Sequence, residues 1–129
     1  MQSNLNGVWI SRVGSTLILT EEPVGVLNGT MDSTQDLSGP EPLHGSSSRD
    51  PQSDNRGLSF SISWPAGKSS PDKEQFPSSV TAYAGKYQKR SDGSEEIEVI
   101  FLIADGSTPG PLWQSVGISS DVFKRKAKP

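Results

Sequence analysis

A chain of 129 residues with no cysteine, 13 glycines and 10 prolines has room for one core and no disulfide framework, thiolate nucleophile or cysteine-based metal site. The longest stretch free of Gly and Pro, residues 94–105, is too short to support an all-helical fold, and the longest apolar run, residues 99–104, falls far short of the roughly 20 residues a membrane span needs. Twelve Lys+Arg against fifteen Asp+Glu leave a formal charge of −3, the wrong sign for a nucleic-acid partner.

In chain order, residues 8–13 and 16–20 read as two short strands, after a lead over residues 1–5. A third run over residues 24–31 contains Asn28-Gly29, which reads as a turn; Asn28-Gly29-Thr30 also fits a glycosylation sequon, and the turn reading is preferred. Residues 34–55, rich in Ser, Pro, Asp and Gly, read as a long loop. Residues 58–64 then alternate without a break: Leu58, Phe60, Ile62 and Trp64 are separated by Ser59, Ser61 and Ser63, the period of a strand with one buried face. Residues 65–78, with Gly67, Pro71 and Pro77, read as a second loop. Further strands are expected at 79–88, 96–104 and 112–124, with turns at 91–93 and 105–106.

Seven or eight short strands joined by tight turns suit an antiparallel meander, and about eight can close without leaving an exposed edge. The expected fold is therefore all-β, an eight-stranded antiparallel up-and-down barrel occupying residues 1–129 as one domain. Lys124, Arg125, Lys126 and Lys128 read as a solvated basic tail. No cationic start followed by an apolar block opens the chain, so no signal peptide is expected; the compartment stays open between the cytoplasm and, if Met1 is an addition, secretion.

The last strands are apolar on both faces. If Phe101, Ile103, Asp121 and Phe123 point inward, then Ile100, Leu102, Val116, Ile118 and Val122 form an outer patch, which favours self-association. An inward Asp121 costs desolvation energy unless it finds a ligand N–H or a neighbouring hydroxyl. Ser11 and Ser15, placed inside a barrel, can satisfy each other or a buried water. His44, the sole histidine, sits in Pro42-Leu43-His44-Gly45 with no nucleophile elbow nearby. No catalytic residue, metal ligand or cofactor site is expected.

The segments Gly7 to Thr16, Leu27 to Met31, Pro42 to Gly45, Leu58 to Trp64, Thr81 to Tyr87 and Trp113 to Phe123 together resemble the avidin and streptavidin family, in order and spacing, from Gly7 to about Lys124. The resemblance implies non-covalent binding of biotin in the open end of the barrel. It implies that Ser11 and Ser15 donate to the ureido oxygen, Asp121 accepts a ureido N–H and Thr81 lies near the sulfur. Trp64, Tyr83 and Phe101, with Ile103, would line the ring and chain, and Ser79, Ser33, Gln35 and Asp36 would stand at the carboxylate end. Trp113 would cap the ligand of a neighbouring subunit, which implies a homotetramer, with a dimer as the fallback.

Two positions depart from the family pattern: Ser11 stands where an asparagine is usual, and Met31 where a tyrosine donates to the ureido oxygen. With one donor replaced and one absent, binding weaker by some decades than in the tightest members is expected. A lipocalin-like carrier of another apolar ligand would explain the meander and the aromatics without needing Asp121. A self-associating lectin-like or structural barrel would explain the outer patch alone.

Overall fold

The computed structural model describes residues 2–33, 39–65, 67–68, 75–76, 78–105 and 116–126. Eight strands close into an antiparallel barrel: β1 (Gly7–Ser11), β2 (Thr16–Glu21), β3 (Val26–Asp32), β4 (Glu41–Ser47), β5 (Asn55–Trp64), β8 (Ser79–Lys89), β9 (Glu95–Asp105) and β10 (Val116–Arg125). Each barrel strand pairs with the next along the chain, and β1 closes the circle by pairing with β10. Two short strands, β6 (Gly67–Lys68) and β7 (Gln75–Phe76), pair with each other between β5 and β8.

Alternation decides which side chains enter the barrel. In β5, Arg56, Leu58, Phe60 and Ile62 are buried while Ser59, Ser61 and Ser63 face outward. Leu17 and Leu19 of β2, Leu43 of β4, Tyr87 of β8, Ile97 and Val99 of β9 and Phe123 of β10 complete a core that also takes in Trp9 and Leu5. Burial at about 25 cal/mol per Å² of apolar area makes this interior the main source of stability.

Four expectations are corrected. Residues 34–55 are not one loop: β4 forms between Glu41 and Ser47, with Leu43 inward and His44 and Ser46 outward, and β5 starts at Asn55. Pro and Gly within that strand hid its alternation. Asn28-Gly29 is not a turn but the middle of β3, paired with Thr20 and Leu19 of β2. Gly29 is required there, since its φ is +154° and a Cβ would come within 1.8 Å of the Ile18 carbonyl oxygen. Residues 65–78 contain the β6–β7 pair. Arg125, read as part of the basic tail, belongs to β10, as does Lys124, the last residue of the expected strand.

Arg125 has structural work at one barrel end. It donates to Glu95 at 2.7 Å and to the Asn6 carbonyl at 2.8 Å, and its guanidinium lies 4.2 Å over the Trp9 ring. The lead is packed too. Leu5 is fully buried and accepts from Trp9 Nε1 at 3.0 Å, and Asn4 N–H donates to the Pro51 carbonyl at 2.8 Å. Residues 2–6 thus cover the end at which β1 begins.

The opposite end is built differently. There β1, β3, β5 and β9 finish while β2, β4, β8 and β10 begin, and the interior carries polar side chains and larger rings rather than a sealed apolar core.

Candidate ligand-binding cavity

At that second end lies a cavity of about 490 Å³, within the range of roughly 300–1,000 Å³ usual for small-molecule sites. Strand register sets its walls. Phe60, Tyr83, Phe101 and Ser119 are opposed in sequence across β5, β8, β9 and β10, so their side chains form one transverse row. Phe60 and Tyr83 stack with centroids 4.6 Å apart, and Tyr83 and Phe101 follow at 5.1 Å. One row towards the mouth, Ile62, Thr81 and Ile103 are opposed. Trp64 Nε1 donates to Thr81 Oγ1 at 3.0 Å, which fixes the indole against the wall.

Burial, and next the negative charge of Asp121, push the Tyr83 phenol up to about 12. It therefore stays protonated at neutral pH, an O–H donor beside an otherwise apolar wall.

The polar side has two parts. After β1, the chain turns back between Ser11 and Ser15: Ser11 N–H donates to the Ser15 carbonyl at 2.9 Å, and Ser15 N–H donates to Ser11 Oγ at 3.0 Å. Accepting that bond leaves Ser11 its hydroxyl proton to donate. The second part is Asp121 on β10. Its Oδ1 accepts from Val122 N–H at 2.7 Å and from both the backbone N–H and Nε of Arg12 at 3.4 Å. Among the described residues its partners are thus Val122 and Arg12 rather than a neighbouring hydroxyl, one of the two partners expected; the other is a ligand N–H.

Of the residues singled out from sequence, Ser15, Met31, Ser33, Trp64, Thr81, Tyr83, Phe101, Ile103 and Asp121 line the cavity together. Ser11, at the start of the turn that carries Ser15, is buried, and Ser79 sits on β8 opposite Trp64; neither of the two lines the cavity. Gln35, Asp36 and Trp113 lie outside the described residues. His44 is on the outer face, with Nδ1 3.1 Å from Asn28 Oδ1.

The sequence reading missed Arg12, Val13, Ser119 and Ser120 as lining residues. Ser119 shares the inward parity of Asp121 and was findable on that ground. Arg12 and Val13 belong to the turn between two expected strands, where alternation carries no information.

The Avidin family model matches residues 1–126, nearly the whole chain. The chain belongs to the avidin family. Its closed eight-stranded antiparallel barrel is the fold that membership calls for, and the family is one of binding proteins rather than enzymes. Biotin binding is a property of the family as a whole.

Proposed function

We propose that this chain binds and sequesters biotin non-covalently in the cavity at the open barrel end. The observation that carries the reading is the pairing, in one cavity, of an acceptor and a donor turn on one side with stacked aromatics on the other. Biotin has a planar ureido group, a thioether ring, an apolar chain and a carboxylate. A ureido oxygen accepts, so it suits the hydroxyls of Ser11 and Ser15; a ureido N–H donates, so it suits Asp121. Trp64, Tyr83, Phe101, Ile103 and Thr81 supply the contact for the ring and chain, and Ser33, Ser79, Gln35 and Asp36 are assigned to the carboxylate end.

Met31 is buried and lines the cavity, and a thioether has no proton to donate to the ureido oxygen. That supports an affinity below that of members with a tyrosine there. An apolar-ligand carrier would not need a carboxylate and a serine turn beside its ligand.

A second reading concerns assembly. Ile118 and Ile100 are 72% and 63% exposed and, with Leu102 and Val80, occupy neighbouring outer positions on β8, β9 and β10. Such a patch favours contact with a second copy, and we infer a homotetramer in which Trp113 reaches the ligand of a neighbour. Retention on biotin-agarose with release by free biotin tests the binding reading. Passage through the resin without retention overturns it.

A further inference from the structure

Arg12 links the two polar halves of the cavity. The ladder between β1 and β10 ends at Ser11↔Phe123, and the chain then leaves β10 to make the Ser11–Ser15 turn. Just past that last pair, Arg12 reaches back to Asp121 twice, through its backbone N–H and through Nε, each 3.4 Å from Oδ1. Val122 N–H binds the same oxygen at 2.7 Å. Among the described residues every hydrogen bond to this carboxylate falls on Oδ1, so Oδ2 is the oxygen left for a ligand N–H.

The consequence is geometric. A cyclic urea that spans the site must present its oxygen to the serine turn and an N–H to Asp121 at one fixed separation. The turn and Asp121 lie on different segments, and Arg12 is part of one while bonded to the other. We propose that Arg12 is a positioning residue, which sets the spacing between donors and acceptor and so selects ligands carrying C=O and N–H side by side. The inference rests on the biotin reading and deepens it.

Arg12 has a rival role. Its side chain is 64% exposed and lines the cavity, so its charge could act on the ligand carboxylate instead. The two roles separate by chemistry. Glutamine carries its amide nitrogen as many bonds from Cα as arginine carries Nε, so Arg12→Gln keeps the donor and drops the charge. Biotin amide keeps the ureido group and drops the carboxylate charge.

The test is calorimetric titration of biotin and biotin amide into the unmodified chain, Arg12→Ala, Arg12→Gln and Arg90→Ala, each checked by thermal melting. Arg90 is a control cation that pairs with Glu96 at the far end of the barrel. An exposed pair at this distance is modest, so Arg12→Ala is expected to weaken both ligands alike, by about two- to five-fold. Arg12→Gln is expected to recover most of that loss, and Arg90→Ala to match the unmodified chain. The inference is overturned if Arg12→Ala binds as well as the unmodified chain, if its loss is confined to charged biotin, or if Arg12→Gln loses as much as Arg12→Ala. Absence of binding by the unmodified chain overturns the biotin reading itself, and the inference with it.

Discussion

Arg56 and Glu21 face each other inside the closed end of the barrel with no side-chain exposure and two parallel bonds of 2.7 Å. Burial pushes the Glu21 carboxyl up, but Arg56, Ser3, the Gly25 N–H and Ser47 outweigh it and hold the group down to about 2. Arg56 also donates to Ser3 and Asn4, so the pair fastens the lead over the barrel end. Its Nε has no hydrogen-bond partner among the described residues.

Removing one partner strands a buried charge. Arg56→Met is expected to destabilise the fold by about 3–5 kcal/mol, read as a lowered midpoint in urea unfolding. The pH dependence has a definite sign. The carboxyl sits near 4.5 when unfolded and about 2 when folded, so its contribution is complete above 4.5, shrinks as pH falls, and is gone below 2. The difference is on the order of 3 kcal/mol. Stability of the unmodified chain should fall between those pH values more steeply than that of Glu21→Gln.

Gly45 lies opposite Phe60 in the β4–β5 ladder, where a Cβ would stand 1.9 Å from the Ser59 carbonyl oxygen and 2.6 Å from Phe60 Cα. The obstacle is backbone, which cannot swing aside. Gly45→Ala is expected to cost about 3 kcal/mol, the upper end for overpacking, and to lower the thermal midpoint by about 10 °C. An unchanged midpoint would contradict this close approach of β4 to β5.

Met31→Tyr restores a donor at the cavity wall. One hydrogen bond contributes about 0.5–1.5 kcal/mol, so biotin should bind up to about ten-fold tighter. Competition against a labelled biotin measures this, and no tightening would remove the missing donor as the cause of weaker affinity.

The outer strip predicts a concentration-dependent mass. Light scattering of the unmodified chain should give four times its 13.8 kDa, and Ile118→Asp should reduce that mass while leaving the β-sheet circular dichroism signal in place. A monomeric mass for the unmodified chain would refute self-association through this face.

Alternation made the barrel legible wherever a strand ran several residues without Gly or Pro. Leu58 to Trp64 is the clearest case, and the same parity, carried one step back, already places Arg56 inside; Leu17 and Leu19 likewise place Glu21 inside. That buried pair was therefore present in the pattern and overlooked. β4 was not legible, because Pro42 and Gly45 imitate loop composition, and neither was Gly29, whose need arises from a neighbouring strand. Parity put Trp64 on the buried face of its strand and Phe101 and Asp121 on faces shared with Ile103 and Phe123, and Tyr83 came only with the family resemblance, whereas Arg12 acts from a turn, where side-chain direction depends on how the segment docks.

The most direct test is titration of biotin into the unmodified chain and into Asp121→Ala by calorimetry. One saturating biotin per chain is predicted, with affinity reduced at least about ten-fold in Asp121→Ala, since a ligand N–H loses its charged acceptor. No heat from the unmodified chain, or equal affinity in the variant, would contradict the account.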